Sequence, residues 1–390
     1  MLLREGFCTG FYNRGMTRPF DVCIRGAGIV GRTLALLLGQ QRLRVGLVGL
    51  DAPGPDASPS VGRDVRAYAL NARSKAILES LRVWPNGADA TAVTHMEVHG
   101  DAGGTVFFNA QDQGAEALSW IVDVPALERC LTDALRFQPQ VECLAEPCEA
   151  ALTVVCEGNA GGAREALGVR STVFAYPQRA IAGRLRCDHA HTQTARQWFR
   201  GGEILAFLPM AGPDGNSIAF VWSVLNERAA DLMALPNAAL CQELETFSGL
   251  ALGHLELFGD RGSWPLQLTE VDRWVGAEKG KAWALAGDAA HTVHPLAGQG
   301  LNLGLEDAAV LTETIRTREY WRGLGDSRLL RRYERARRAD VQRTALTMHG
   351  LQQLFALPGS GWQTVRNLGM NGFDHSGVIK QWVAQQAMGT

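Results

Sequence analysis

The sequence lacks the features that mark several large classes of protein. Its formal net charge is −2 over 390 residues, which leaves no general positive field for binding nucleic acid. No stretch approaches the roughly 20 consecutive apolar residues that span a bilayer. The first 15 residues hold no continuous apolar segment typical of a signal peptide. These absences predict a cytoplasmic protein that does not bind nucleic acid.

Cysteines with the spacing of a zinc site or of a redox pair are also missing. Three of the eight cysteines lie close together, but they lack the paired spacing of a zinc-binding motif. We therefore expect free thiols in a reducing compartment. The eight are Cys8, Cys23, Cys130, Cys143, Cys148, Cys156, Cys187 and Cys241.

Hydrolase and metal-site motifs are absent as well. The chain has no G-x-S-x-G segment and no phosphate-binding P-loop, so neither a serine hydrolase nor a nucleotide hydrolase is indicated. His291 and His294 are three residues apart, but no third ligand follows at a matching spacing. We predict no metal site.

A glycine-rich motif near the start of the chain predicts a dinucleotide-binding βαβ unit. A short apolar strand, Phe20 to Ile24, comes before it, an apolar helix from Thr33 to Leu38 follows, and a second strand runs from Arg44 to Leu50. Glycines at this point allow a tight turn and close approach of the backbone to a pyrophosphate. The predicted cofactor contacts here are Gly26, Gly28, Ile29, Val30 and Gly31.

The most informative stretch runs from Gly287 to Asn302. A buried strand, Ala282 to Ala286, is predicted before it, and a helix from Leu301 to Ile315 is predicted after it. The Asp288 carboxylate can accept hydrogen bonds from sugar-type hydroxyls. Free amides at the loop and at the helix start can face a group that becomes negative.

This stretch resembles the second flavin fingerprint of the FAD-dependent aromatic hydroxylases, and within them the ubiquinone-biosynthesis hydroxylase family. The shared segments are GDAAH, HPLAGQGLN and the acidic pair Glu306-Asp307. The resemblance implies that Asp288 binds the ribityl chain of FAD, and that the proline and glycines lie beside the flavin ring. The residues carried over from the family are Asp288, Pro295, Gly298, Gly300, Leu301 and Asn302.

The resemblance covers nearly the whole chain after Met16 and implies an α/β fold. We expect a Rossmann-like FAD-binding domain, a second antiparallel β-sheet domain that binds the substrate, and a helical C-terminal region. The predicted bounds are 17–84, 120–170 and 270–320 for the FAD-binding domain, 85–119 and 171–269 for the substrate domain, and 321–390 for the helical region.

Three further FAD contacts are inferred at positions where the match is weaker. The acidic residue usual at the end of the second strand is missing, since Gly49 occupies its place, and Asp51 is the substitute we infer. Arg66 fits the arginine that reaches back to FAD in the family, with a surface ion pair as the alternative. Arg129 fits an arginine near the flavin.

The third family fingerprint is altered in this chain. Glu157 stands where the family has aspartate, Gly161 replaces a serine, and Gly158 and Arg164 keep their places. The family's β-meander before this motif is reduced to residues 142–155, which have room for one or two short strands. Whether this departure weakens FAD binding stays open.

The family resemblance implies oxygen-dependent hydroxylation of the aromatic ring of a polyprenylated phenol in ubiquinone biosynthesis. The cofactor is FAD, and NAD(P)H is a transient co-substrate, because only one dinucleotide motif is visible. No catalytic residue is predicted. The ring position, NADH versus NADPH and the oligomeric state stay open. The alternative is a flavin-weak or inactive homologue that serves as an interaction subunit of a quinone-biosynthesis complex; a halogenase is disfavoured because a tryptophan-rich insertion with a lysine is missing.

An arginine-rich segment runs from Arg316 to Arg343, with ten arginines and four acidic residues. The simplest explanation is a solvated helix face with pairs such as Glu334–Arg338. The alternative is contact with an anionic surface, either the inner membrane or an acidic partner protein in a biosynthetic complex.

Overall fold

The computed structural model describes residues 19–49, 64–100, 103–158, 162–212, 214–292 and 299–356. Side chains of residues 299 and 344–356 are not described. Within these ranges the chain forms three β-sheets and eight α-helices. The helices are α1 (Ile29–Gln40), α2 (Ala72–Ser80), α3 (Val124–Arg136), α4 (Ala163–Ala166), α5 (Asn226–Ala234), α6 (Asn237–Ser248), α7 (Gln299–Arg316) and α8 (Ser327–Ala356).

The first sheet is mainly parallel and confirms the predicted Rossmann-like architecture. Its strands, in spatial order, are β15 (Val275–Glu278), β16 (Lys281–Leu285), β9 (Ala150–Val155), β1 (Phe20–Arg25), β2 (Val45–Val48) and β8 (Val141–Leu144). All neighbouring pairs are parallel except β15 with β16. Parallel strands are buried on both faces, which explains why their sequences are continuous apolar runs. Ligands in such sheets bind beyond the carboxyl ends of the strands.

The second sheet has eight strands and is antiparallel apart from one parallel pair. In spatial order the strands are β17 (His291–Thr292), β14 (Leu255–Val271), β10 (Ser171–Cys187), β13 (Ser217–Leu225), β12 (Glu203–Met210), β11 (Thr194–Arg200), β5 (His95–His99) and β6 (Thr105–Asn109). The parallel pair is β11 with β5. The antiparallel β-sheet domain expected from the family resemblance is confirmed.

Between these two lies a small antiparallel sheet. Its strands are β3 (Ala67–Leu70), β7 (Ser119–Asp123) and β4 (Ala90–Val93). The end of β7 leads directly into α3, because the Asp123 carboxylate accepts a hydrogen bond from the Ala126 amide at 3.3 Å and caps the helix. We propose the two-domain division with the bounds predicted from the sequence.

The two large sheets have separate apolar cores. The first lies between the parallel sheet and α1, α3 and α7, and it includes the predicted leucine stripe of α3. Leu127, Leu131 and Leu135 are all buried there. The second core lies between the antiparallel sheet and helices α5 and α6, where Phe220 and Trp222 of β13 are completely buried. Because side chains alternate along a strand, residues 219, 221 and 223 face the opposite side of this sheet.

The shortened segment before the third fingerprint crosses the parallel sheet directly. Strand β8 lies at one edge, whereas the next strand in the chain, β9, lies on the far side of β2 and β1. Residues 145–149 alone make this connection. A Cβ atom at Gly46 of β2 would lie only 2.6 Å from Cys148 Sγ, so the crossing segment packs tightly against the sheet at a glycine. Of the one or two short strands expected in this segment, two are present, β8 and β9. The short segment that connects them takes the place of the family's β-meander.

Candidate active site

The first glycine motif forms the turn between β1 and α1. Gly26 has a left-handed φ of +106°, and a Cβ there would lie 2.5 Å from the backbone carbon of Cys156. A Cβ on Gly31 would lie 1.8 Å from the Gly26 carbonyl oxygen. Side chains at these two positions are thus excluded by backbone atoms. By contrast, a Cβ on Gly28 would meet nothing within 4 Å, so the turn opens to a ligand at that point.

The amino end of α1 is suited to bind an anion. Helix α1 begins at Ile29, its N-cap residue is Gly28, and no side chain caps it. Its first turn contains no acidic residue. The backbone amides of Ile29 and Val30 are therefore available for a negatively charged group, which the helix dipole also favours.

The second motif forms a tight turn after β16. Gly287 has a φ of +63°, and residues Gly287–Ala289 make one turn of 3-10 helix. This turn exposes Asp288 at the carboxyl end of the sheet. The surrounding protein partly desolvates the carboxylate, and this burial raises the pKa of Asp288 despite the opposing charges of His291 and Arg66.

The two motifs meet through Val30. A Cβ on Gly287 would lie 3.3 Å from the methyl groups of Val30, and a Cβ on Gly304 of α7 would lie 2.7 Å from one of them. The side chain of Val30 is thus enclosed by glycines of the second motif. Two segments more than 250 residues apart are thereby brought to one edge of the sheet, with the α1 amides beside the Asp288 turn.

A buried cluster of polar side chains stabilises the Gly287–Ala289 turn through hydrogen bonds. One carboxylate oxygen of Asp307 accepts hydrogen bonds from the Gly287 amide and from His291 Nε2, each at 2.8 Å. The other oxygen accepts from Arg337 Nε at 2.7 Å. Burial alone would raise the pKa of Asp307, but His291 and Arg337 hold it below its usual range. Asp307 thus ties both ends of the turn to helix α8.

Helix α8 contacts the same turn at one further point, and Trp274, which precedes β15, contacts it as well. The hydroxyl of Tyr333 donates to the Leu285 carbonyl at 2.8 Å, at the end of β16. The ring of Trp274 stacks on the imidazole of His291, with ring centroids 5.1 Å apart. Asp307 belongs to the acidic pair noted in the sequence, but nothing in the local pattern identified Arg337 or Tyr333 as its support.

The start of α7 places Gly300, Leu301 and Asn302 in the first turn of that helix. A Cβ on Gly300 would meet nothing within 4 Å, and Leu301 is buried. The side-chain amide of Asn302 already makes hydrogen bonds within the protein. Its nitrogen donates to the Ala69 carbonyl at 2.9 Å, and its oxygen accepts from the Ser74 hydroxyl at 2.7 Å. A contact from Asn302 to the cofactor therefore has to come from its backbone.

Of the remaining predicted cofactor contacts, one lies near the Asp288 turn, one is exposed on α3, and three lie outside the described residues. Arg66 is near the Asp288 turn, since its charge acts on that carboxylate, but its guanidinium is paired with Asp64. That hydrogen-bonded pair raises the pKa of Arg66. Arg129 is exposed on α3. The predicted residues Asp51, Pro295 and Gly298 lie outside the described part of the chain.

Gly49 occupies the strand-end position where an acidic residue is usual, and its backbone conformation favours glycine. Gly49 follows β2 with a left-handed φ of +94°. An aspartate or glutamate would be strained in that conformation, because its Cβ would crowd the backbone. Glycine at this position therefore suits the backbone conformation that follows β2.

The altered third fingerprint lies beside the first turn. Glu157 follows β9, and its carboxylate accepts a hydrogen bond from Arg25 Nε at 3.0 Å. The side chain of Arg164 is buried, and its Nε and Nη1 atoms have no hydrogen-bond partner within the described residues. A buried guanidinium without a partner is costly. An anionic group of a bound ligand would satisfy it.

A cleft of about 720 Å³ lies between the segment that carries Arg66 and strand β14. Trp264 and Gly262 of β14 are among its lining residues. On the neighbouring strand β10, Arg184 donates to the Arg66 carbonyl at 3.2 Å and ion-pairs with Asp123, which joins the second sheet to the first domain. Ala180 and Ala182 lie on the same face of β10 as Arg184, and both are buried.

Together these features define the class of the protein. A βαβ turn with an open helix amino end and a carboxylate-bearing turn packed against it fit the phosphate and sugar portions of a bound dinucleotide. The antiparallel sheet beside that site is positioned to cover a second, apolar ligand.

The sequence comparisons identify the family. The sequence model of the FAD binding domain family matches residues 145–347, which is more than half of the chain. The protein belongs to this family, and its cofactor is FAD. This confirms the recognition made from the two glycine motifs.

Three known proteins show the extent of the similarity. The ubiquinone hydroxylase UbiL of Rhodospirillum rubrum is 29% identical, over 98% of this chain and 92% of that protein. The 3-demethoxyubiquinol 3-hydroxylase of Escherichia coli is 27% identical, over 95% of this chain and 99% of that protein. The crystal structure of PqsL from Pseudomonas aeruginosa in complex with 2-aminobenzoylacetate superposes with a TM-score of 0.70 at 22% identity, over 87% of this chain and 97% of that one.

Proposed function

We propose that this protein is an FAD-dependent monooxygenase that hydroxylates the aromatic ring of a polyprenylated phenol in ubiquinone biosynthesis, with NAD(P)H and O2 as co-substrates. The convergence of the two glycine turns through Val30 is the observation that carries the proposal. A helix end suited to a pyrophosphate and a carboxylate suited to hydroxyl groups thereby lie at one edge of the sheet, which supports the proposal. The relatives named as ubiquinone-pathway hydroxylases, which align with almost the whole chain, support the reaction class.

Each part of the site has a task in this reaction. The α1 amides would bind the pyrophosphate of FAD, and Asp288 would accept hydrogen bonds from its ribityl hydroxyls. The backbone amides at the start of α7 would face negative charge on the ring system. When bound, FAD supplies the transfer of electrons from NAD(P)H to oxygen.

The second sheet would hold the phenol against the cofactor and exclude water. The cleft beside Arg66 is lined on this sheet by residues of β14, including Gly262 and Trp264. Polar residues at the rim of the cleft, including Arg66 and Asp64, are already paired with one another. The polyprenyl tail of the substrate would need an apolar path, and Met233 and Leu257 line the cleft where it meets α5.

The structure offers no support within the described residues for an inactive interaction subunit. That alternative was motivated by the altered third fingerprint and by the missing strand-end acid. Glu157 has a charged partner in Arg25, and the turns at Gly26 and Gly287 are fully formed. The departures are therefore accommodated by the fold.

The proposal is tested with purified protein loaded with FAD and a phenol that carries a short prenyl chain. We expect a yellow protein with an absorbance band near about 450 nm, as is general for oxidised flavins. We also expect the product to gain one oxygen atom from labelled O2. Oxidation of NAD(P)H that yields only hydrogen peroxide with every prenylated phenol tried would contradict the proposed substrate class.

A further inference from the structure

An exposed pair of aromatic residues lies in the loop between α7 and α8. Tyr320 is 94% exposed and Trp321 is 66% exposed. Their rings are in edge-to-face contact, with centroids 4.9 Å apart. Two adjacent large aromatic side chains open to water are unusual on a protein surface and mark a contact site.

A stripe of arginines begins one turn beyond this loop. Arg328, Arg331, Arg332 and Arg335 follow the i, i+3, i+4, i+7 spacing of one helix face, and all four are exposed on α8. The opposite face is buried, as Leu330 and Tyr333 show. In the part of the chain that the structure describes, no carboxylate lies within ion-pair distance of the four guanidinium groups.

The acidic residues near this stripe are already engaged. Glu313 pairs with Arg316, and Glu319 pairs with Arg322. The carboxylate of Asp326 accepts from the backbone amides of residues 328 and 329 and so caps α8.

The loop and the stripe form one surface. The Asp326 carboxylate, at the end of the loop, accepts a hydrogen bond from the Arg328 amide at 2.9 Å, so the stripe begins where the loop ends. Seven arginines and four acidic residues lie between positions 313 and 335, so the surface carries excess positive charge.

This surface lies away from the cofactor turns. A Cβ on Gly325, in the same loop, would lie 2.8 Å from the Cβ of Ala282 and 3.0 Å from the Ala151 carbonyl. These residues stand at the amino ends of β16 and β9, whereas the glycine turns are at the carboxyl ends. A partner bound here would leave the cofactor site open.

We propose that Tyr320, Trp321 and the arginine stripe dock the protein onto anionic phospholipid headgroups. Tyrosine and tryptophan favour the boundary between acyl chains and headgroups, and arginine binds phosphate with two parallel hydrogen bonds. Basic residues next to an interfacial aromatic pair are typical of peripheral membrane contacts. A protein partner would need a larger apolar centre than two rings provide. The inference goes beyond the proposed function and does not depend on it.

Co-sedimentation of the FAD-loaded protein with lipid vesicles tests this docking. The vesicles contain either phosphatidylcholine alone or one part phosphatidylglycerol to two parts phosphatidylcholine. We expect binding to the anionic vesicles that weakens as salt is raised. The double variant Arg331→Glu/Arg335→Glu should lose about tenfold or more in vesicle affinity. Tyr320→Ser/Trp321→Ser should also weaken binding.

A matched control uses an aromatic residue and an arginine elsewhere on the surface. Phe137 is 86% exposed and follows Arg136 at the end of α3. The double variant Arg136→Glu/Phe137→Ser should bind vesicles like the parent protein. All variants should retain FAD, because the altered surface lies at the far edge of the sheet.

The docking proposal is overturned if the parent protein does not sediment with anionic vesicles, or binds phosphatidylcholine equally well. It is also overturned if the loop and stripe variants bind as tightly as the control variant. Vesicle binding that depends on these residues would support it even if no phenol were hydroxylated, so the result is separable from that of the function assay.

Discussion

The two cofactor turns are held in place by different physical means. The Gly26–Gly31 turn is shaped by backbone atoms that leave no space for side chains at two positions. The Gly287–Ala289 turn is held by hydrogen bonds from a buried carboxylate, Asp307, which itself depends on Arg337 thirty residues later. The first turn is shaped by close backbone packing, within the turn and against Cys156, whereas the second requires that α7 and α8 be packed in place.

This difference has a consequence for how each turn fails. A turn shaped by close backbone packing tolerates no side chain at the positions that backbone atoms occupy, but it contains no buried charge that needs a partner. A turn held by a buried polar cluster tolerates small changes in shape but fails when one charge of the cluster is removed, because the others are left unpaired in the interior. Substitutions in the two turns should therefore differ in the size and kind of their effect.

The largest effect is expected from Gly31→Val in the steric turn. The new side chain would collide with the Gly26 carbonyl oxygen, which lies 1.8 Å from the position of its Cβ. We expect loss of FAD binding and a large drop in melting temperature, measured by absorbance and by thermal unfolding. Gly28→Ala is the matched control, since its added Cβ meets no atom within 4 Å; that variant should fold with the thermal stability of the parent. If Gly31→Val bound FAD as well as the parent protein does, the Gly26 carbonyl would not exclude a side chain at position 31, and the steric explanation of the turn would be wrong.

Asp307→Asn should have the next largest effect. It removes the charge opposite Arg337, which is only 1% exposed, and a broken buried ion pair costs about 3–5 kcal/mol. We expect weaker FAD binding together with lower stability in urea. The native carboxylate has a lowered pKa, so it stabilises the fold above the pKa of an unfolded aspartate and this contribution is lost as pH falls through the native value. The variant should lack that part of the acid dependence.

The control for Asp307→Asn is an ion pair in the second sheet. Arg196 donates to Glu97 at 3.0 Å and is largely buried. Arg196→Met should lower stability while FAD affinity stays at the parent value. Equal loss of FAD affinity in both variants would mean that Asp307 acts through general stability and not on the turn.

Asn302→Ala should lower stability without removing a direct side-chain contact to FAD. The change leaves the Ala69 carbonyl and the Ser74 hydroxyl without their partner, which costs about 1–3 kcal/mol. The expected outcome is a lower urea midpoint with nearly unchanged FAD affinity at low denaturant. A large loss of FAD affinity in a variant of parent stability would show that the amide contacts the cofactor after all.

The smallest effect is expected from Asp288→Asn, at the exposed tip of the second turn. An amide still accepts hydrogen bonds but lacks the charge, so FAD affinity should fall by about fivefold, or about 1 kcal/mol. Because burial raises the pKa of Asp288, the affinity of the parent should decline on acidification while the pH is still above 3.8. The variant should not show that decline when Kd is measured by fluorescence titration across pH, and an identical pH profile would exclude the carboxylate from FAD binding.

Much of the region around the first turn was predictable from sequence. The strand β1, the helix α1 and the strand β2 follow from an apolar run, glycine spacing and a second apolar run, all within thirty residues. Helix α2 likewise begins at a local signal, because the side chain of Asn71 caps it by accepting from the Ser74 amide at 2.9 Å. Such signals are local, because propensity and capping involve residues only a few positions apart.

The support of the second turn could not be predicted in this way. Arg337 appeared in the sequence as one of ten arginines in a charged segment that was best explained as a solvated surface. In the structure it is buried against Asp307, while its neighbour Arg338 pairs with Glu334 at 3.7 Å as expected. A pattern of charges along a helix does not show which one turns inward, because that depends on the helix packed against it.

By itself, the sequence determined the class of cofactor and the edge of the sheet where it binds, because glycine spacing and strand–turn–helix order are properties of short segments. Only the tertiary structure decided that Val30 contacts both motifs and that α8 supports the second turn. It also decided that the Asn302 side chain makes its hydrogen bonds to Ala69 and Ser74 within the protein. These are contacts between residues far apart in the chain, and their partners are selected by packing of whole elements, which no local pattern records.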